Sequence, residues 1–219
     1  MDYGWNIKVS SRGIDDIGRT RQLAADLEAL KGLILDFAPL SVDSRYLKRN
    51  RIRIFPFSKS EEGNEYYIVK GRKRYVCLNA NVLKRQYWAA LQFLLHGITH
   101  SFCHLRDEIG EEAFCEWVSY SVIKEFAEER GEKFARMVLK SIMRLSSPAY
   151  RSFYRAAKRL DERNPDYLVC LNNRAKNRKI RKSIEKQIIS RALKTKRHRN
   201  LTELDKSIPE LEKGFKKIK

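Results

Sequence analysis

The chain holds 219 residues, with 46 Lys and Arg against 27 Asp and Glu, a formal net charge of +19 and a pI of about 9.9. That length buries one substantial core with room for a small appendage, and the basic excess favours polyanionic partners, nucleic acid before anionic lipid. No run nears the ~20 apolar residues of a membrane span, and Met1 leads into Asp-Tyr-Gly-Trp rather than a basic stretch and an apolar core, so neither a transmembrane segment nor a signal peptide is expected, and the expected location is cytoplasmic.

Residues 5–10 (WNIKVS) alternate, as a short strand or a tail lying on the domain would. Asp15 and Asp16 open a helical pattern. Ile17, Leu23, Leu27, Leu30, Leu33 and Ile34 recur mostly at helical spacings, and the pattern ends before Pro39. Residues 51–57 (RIRIFPF) alternate basic and apolar side chains, the pattern of a half-buried strand. A polar turn at 58–64 leads to a strand at 65–70, and a tight turn at 70–73 leads to another at 74–78. These strands are expected to form an antiparallel meander. Its basic residues (Arg51, Arg53, Lys70, Arg72, Lys73, Arg74), with Tyr66 and Tyr67 nearby, suit a phosphate-binding surface or a protected strand edge equally well.

Residues 79–81 have the character of a helix cap. From Val82 a strongly apolar helix runs through Trp88, Leu91, Phe93, Leu94 and Leu95 to His96, His100 and His104. Spaced four residues apart, these histidines fall on one helical stripe, and Cys103 joins it. Gly110 suits a stop, and Glu111 and Glu112 suit the start of a new helix. A helical hairpin turning near Ile109 is therefore expected. Pairing across that turn sets Cys103 opposite Cys115, and His96 and His100 opposite a face with Glu112, Cys115, Glu116 and Ser119. Two histidines and a carboxylate form a set that zinc accepts, with a fourth position open to water. Glu116 folds back near His100, whereas Glu112 lies nearer the turn, so His96, His100 and Glu116 are the expected ligands. Cys103, His104, Glu112 and Cys115 compete as alternative ligands. The two cysteines equally suit a disulfide or plain packing, and the histidines equally suit a purely structural role satisfied by hydrogen bonds.

The stretch LLHGITHSFCHLRDEIGEEAFCEWVSYS (94–121) resembles the active-site region of zincin metallopeptidases of the gluzincin type. Its surroundings are most similar to the ImmA/IrrE family and the small archaeal minigluzincins. There, a helix and a small sheet ending in an I-x-[IL]-N segment precede HExxH; here that segment is Tyr75-Val76-Cys77-Leu78-Asn79. The resemblance covers roughly residues 14–127 and implies His96, His100 and Glu116 as zinc ligands. It also implies strand 75–79 as an edge that pairs with a peptide or protein substrate in the cleft. One departure governs the function. Gly97 stands where HExxH carries the glutamate that activates zinc-bound water, and in the overlapping frame from His100 to His104 the same place holds Ser101. No catalytic base is therefore assigned, and Glu111 or Glu112 would have to act as a displaced one.

Past Ser121 the helix continues through Val122, Ile123 and Phe126 to an interruption at Gly131. The next helix spans 132–145, with Phe134, Met137, Val138, Ile142 and Leu145 expected inside. Ser147-Pro148 starts another, with an aromatic stripe of Tyr150, Phe153 and Tyr154 that reads as core packing. Residues 164–166 break the chain before a helix from about Tyr167. The basic residues then concentrate: Arg174, Lys176, Arg178, Lys179, Arg181, Lys182, Lys186, Arg191, Lys194, Lys196, Arg197 and Arg199, with Glu185 the only acid among them. Ile180, Ile184, Ile188 and Leu193 keep roughly helical spacing, so one apolar stripe faces a broad basic surface suited to a nucleic-acid backbone. Residues 200–204 begin a last helix with Thr202 as cap. The cysteines, Cys77, Cys103, Cys115 and Cys170, lack CxxC spacing and do not form a secreted disulfide framework. The wealth of Lys, Arg and Glu over Gln suits a thermophile.

Together these features predict an α+β protein, with a zincin-like domain over 1–130 and a helical, strongly basic region over 131–219. The expected function is that of a degenerate zinc-metallopeptidase-like protein that binds zinc and also binds nucleic acid through its basic region. The alternatives are an active metallopeptidase with a displaced base, and a nucleic-acid-binding protein with structural histidines.

Overall fold

The computed structural model describes residues 5, 8–9, 17–38, 42, 44–47, 49–55, 65–70, 73–105, 108–162 and 167–174. The turn at 58–64, the glycine of the 70–73 turn, the break at 164–166 and the basic segment from Lys176 onward lie outside them.

The chain folds as α+β. The elements are β1 (Lys8–Val9), α1 (Ile17–Ala29), α2 (Lys31–Asp36), α3 (Ser44–Leu47), β2 (Asn50–Phe55), β3 (Glu65–Lys70), β4 (Lys73–Asn79), α4 (Ala80–Arg85), α5 (Tyr87–His100), α6 (Glu108–Glu128), α7 (Glu132–Leu145), α8 (Pro148–Asp161) and α9 (Tyr167–Arg174). The long helical pattern after Asp16 is interrupted at Leu30, where the backbone flattens to φ −77°, ψ −6°.

The sheet is mixed, not an antiparallel meander. Its order is β1-β2-β4-β3. β2 runs parallel to β4, with Ile52 opposite Val76, while β3 is antiparallel to β4, with Tyr67 opposite Val76. The reason lies in the composition of β4. Residues 75–78 (YVCL) are buried on both faces, and such a continuous apolar run belongs in the middle of a sheet. β2, with exposed Arg53 between buried Ile52 and Ile54, needs cover on one face only. Residues 75–78 are therefore paired on both sides, and they cannot be the edge that accepts a substrate strand. The edges are β1 and β3.

α5 packs across β3 and β4 on one side and against α6 on the other. Asn79 caps α4, its side chain accepting from the Asn81 N–H at 2.9 Å. A break at Gln86 separates α4 from α5. Gly131, at φ 101°, makes the turn between α6 and α7, a conformation glycine adopts without the strain of a Cβ. On α7 the buried stripe is Ala135, Val138 and Ile142, whereas Met137 and Leu145 are exposed. Met137 lies about 100° around the helix from its neighbour Val138, off the inward stripe. Among the described residues one hydrophobic core cluster includes side chains from Trp5 to Leu168. Among the described residues no helix is long and apolar enough to cross a membrane.

Candidate metal centre

The turn between the histidine helix and the acidic helix differs from the expected one. α5 ends at His100 and α6 begins at Glu108, with Ile109 and Gly110 inside the first turn of α6. Cys103 and His104 thus leave the helical stripe and lie in the connection. Three side chains remote in sequence hold it. The Tyr46 hydroxyl donates to the Ser101 carbonyl at 2.7 Å, and Asn50 Nδ2 donates to Ser101 Oγ at 3.3 Å. Asn172 of α9 accepts from the His104 N–H at 2.8 Å and donates to the Phe102 carbonyl at 3.4 Å.

Centring the turn near His104 shifts the pairing of the two helices by more than a helical turn. His96 now meets Glu112, and Gln92 meets Glu116. The atoms of His96, His100 and Glu112 that could bind an ion lie within 4.8 Å of one another, close enough for this buried group to hold one metal ion. His96 Nε2 is 3.1 Å from His100 Nε2 and 3.0 Å from Glu112 Oε2, and His100 Nε2 is 3.5 Å from Glu112 Oε1. Two nitrogens bound to one tetrahedral zinc at ordinary bond lengths stand about 3.3 Å apart, so the spacing suits such an ion.

Glu116, the expected third ligand, sits behind the site instead. Its Oε1 is 3.4 Å from His96 Nδ1, and Gln92 Nε2 lies 3.4 Å from its other oxygen. Gln92 also donates to Ser119 Oγ at 3.1 Å. Glu111 does the same for the second histidine, its Oε1 lying 2.8 Å from His100 Nδ1. Each imidazole therefore turns Nε2 inward and Nδ1 toward a second carboxylate, the side from which outer partners orient metal-bound histidines.

Electrostatics separates the two central carboxylates. Burial opposes ionisation of Glu112, but His96 and His100 overcome it and hold the carboxyl below its ordinary range. Burial wins at Glu116 and pushes its carboxyl up, with His96 offsetting only part of the effect.

Among the described residues, Cys103, His104 and Cys115 are not part of the metal-binding group. Cys103 and Cys115 do meet, as buried thiols rather than a disulfide, and burial together with the hydrogen bond to Cys103 pushes the Cys115 thiol well up. Gly97 faces away from the site. A Cβ there would stand 2.5 Å from Val76 Cγ1, so the sheet fills the space that a glutamate needs.

Two residues beside this site are absent from the sequence-based expectations. Gln92 stands one turn before His96 in an otherwise apolar run, a signal that was legible. Tyr150 had none, being one aromatic in a core-like stripe. Its ring meets His96 edge-on with centroids 5.9 Å apart. Of the basic residues expected to bind nucleic acid, Arg174 ends α9; the others lie outside the described residues. Comparison with protein-family models, curated proteins and solved structures gives no match to this chain.

Proposed function

We propose that this chain is a degenerate zinc-metallopeptidase-like protein, a metal-binding protein on a zincin-like scaffold that lacks the peptidase base. Zinc is held by His96, His100 and Glu112. The supporting observation is the orientation of the two imidazoles. His96 Nε2 and His100 Nε2 lie 3.1 Å apart on the side of the Glu112 carboxylate, while the Nδ1 atoms lie toward two other carboxylates, Glu116 at 3.4 Å and Glu111 at 2.8 Å. Acceptors that close repel in a buried site unless a cation or an added proton sits among them. Two histidines and a glutamate with one position left open is a catalytic-type zinc set. An antiparallel edge strand, β3, lying beside the histidine helix also suits the zincin reading.

Zinc would supply Lewis acidity at this centre. Among the described residues, those around it supply ligands and their orienting partners, but no base. Gly97 has no side chain, Glu111 is engaged with His100, and Glu116 lies behind His96. Elemental analysis of the wild type beside a His96→Ala/His100→Ala variant tests the reading. Stoichiometric zinc, lost in the variant, is expected, with no metal-dependent peptide cleavage. Zinc retained by the variant, or no uptake by the wild type even after zinc is added, overturns the metal site. Cleavage by the wild type that disappears in the variant would instead establish a peptidase with a displaced base. The basic segment 174–199 adds nucleic-acid binding to this proposal on the strength of its charge alone.

A further inference from the structure

We infer that Gln92 is a positioning residue of the metal centre, a buried amide on α5 that sets the Glu116 carboxylate against His96. The inference rests on the reading that His96, His100 and Glu112 hold a metal, and it adds a further layer behind that site. Gln92 is fully buried, one turn before His96. Its Nε2 donates to Ser119 Oγ at 3.1 Å and lies 3.5 and 3.4 Å from the two Glu116 oxygens. Glu116 Oε1 in turn stands 3.4 Å from His96 Nδ1.

The neighbours of the amide decide which way it faces. The Ser119 hydroxyl gives its hydrogen to the Glu116 carbonyl at 3.0 Å, so toward Gln92 it accepts. The Glu116 carboxylate accepts likewise. Both partners therefore call for the NH2 end, and Ser119 ties that end to the backbone of α6. The cost falls on the other end. Gln92 Oε1 is buried and, among the described residues, has no hydrogen-bond partner, a loss of free energy that an apolar side chain would avoid. Leu91, Leu94 and Leu95 beside it are buried and apolar, and a methionine or leucine at 92 would fill a similar volume. Packing therefore does not account for an amide here. What only the amide supplies is a pair of N–H donors between Ser119 and the carboxylate behind His96.

The test measures zinc affinity by chelator competition for the wild type, Gln92→Met and Gln92→Leu, with each substitution repeated in a Glu116→Gln background. Urea denaturation of the metal-free proteins accompanies it. Loss of a direct outer partner of a metal ligand costs about 10–100-fold in affinity. Gln92 acts one residue further out, so both variants should bind zinc about 10-fold more weakly. Their metal-free urea midpoints should equal or exceed that of the wild type, because the unpartnered oxygen is gone. In the Glu116→Gln background the same substitutions should leave zinc affinity unchanged, since the carboxylate that Gln92 positions is already absent. Wild-type affinity in either folded variant overturns this inference alone, as does a loss that is as large in the Glu116→Gln background as in the wild type. A wild type that takes up no zinc overturns the metal reading and this inference with it.

Discussion

Gly97 of α5 lies so close to Val76 of β4 that a Cβ added at residue 97 would stand 2.5 Å from Val76 Cγ1. Both residues are buried, and valine is stiff at χ1, so the methyl has little room to give. An alanine gains about 1 kcal/mol of helix propensity over glycine, but overpacking a core costs about 1–3 kcal/mol. Gly97→Ala is therefore expected to destabilise the protein by up to about 2 kcal/mol, and Gly97→Glu to destabilise it more without creating peptidase activity. In a double-mutant cycle with Val76→Ala, urea denaturation should show a favourable coupling of about 1 kcal/mol. Additive effects would mean that the helix and sheet separate easily at this point.

The same contact explains what the sequence did and did not disclose. Helices were legible where capping and stop signals were strong. Gly131, Ser147-Pro148 and Asn79 mark α7, α8 and α4 at or next to their observed starts. The sheet departs from the expected meander because neighbours in sequence are not all neighbours in pairing; the unbroken apolar run in β4 is the signal of a central strand. The histidines were legible from their spacing. Choosing between Glu112 and Glu116 depended on where the turn fell, and Tyr46, Asn50 and Asn172 set that turn from more than 50 residues away. No local pattern encodes such contacts.

Glu112 and Glu116 should give opposite pH dependences in the metal-free protein. Glu116 is held above its ordinary 4.5, so its contribution to stability is present below 4.5 and is lost as pH rises through its folded value. Glu112 is held below 4.5, so its contribution is present above 4.5 and is lost as pH falls through its lowered value. Measured in chelator, Glu116→Gln should gain stability relative to wild type as pH climbs from acid to neutral. Glu112→Gln should lose most at neutral pH and converge with wild type in acid. A pH-independent difference for either variant would contradict the assignment.

Asn172 is 1 % exposed and satisfies two backbone groups of the connection between the metal helices. Replacing it with alanine leaves a partly buried N–H and a buried carbonyl without that partner, at a cost of about 1–3 kcal/mol for the buried one. Asn172→Ala should lower the urea midpoint and also weaken zinc binding, because the connection sets the offset that brings Glu112 to His96. Unchanged zinc affinity in a folded Asn172→Ala protein would show that helix packing alone sets that offset.

If the segment 174–199 binds a nucleic-acid backbone, affinity should fall steeply with salt, with a log–log slope of about −0.9 for each phosphate neutralised on duplex DNA. Charge reversal at Arg178, Lys179, Arg181 and Lys182 should flatten that slope and leave zinc content unchanged. Binding that survives the reversal with its slope intact would assign the charge to a solvated surface.

Zinc binding should release protons, and the site indicates where they come from. Without a metal, the inward Nε2 atoms at 3.1 Å can coexist only if one of them carries hydrogen. That hydrogen demands either a doubly protonated imidazole or a proton on Glu116 given to His96 Nδ1, which the raised Glu116 carboxyl favours. Zinc requires both Nε2 lone pairs and so must displace it. Calorimetric titration with zinc in buffers of different ionisation enthalpy should show net proton release near neutral pH and an affinity that rises with pH. Glu116→Gln removes one place for that proton and should reduce the release while retaining the site, with affinity lowered by about 10–100-fold as for other outer-shell losses. Zinc uptake without proton release would mean that the two histidines already face each other as bare acceptors, and the cation argument for this centre would then fail.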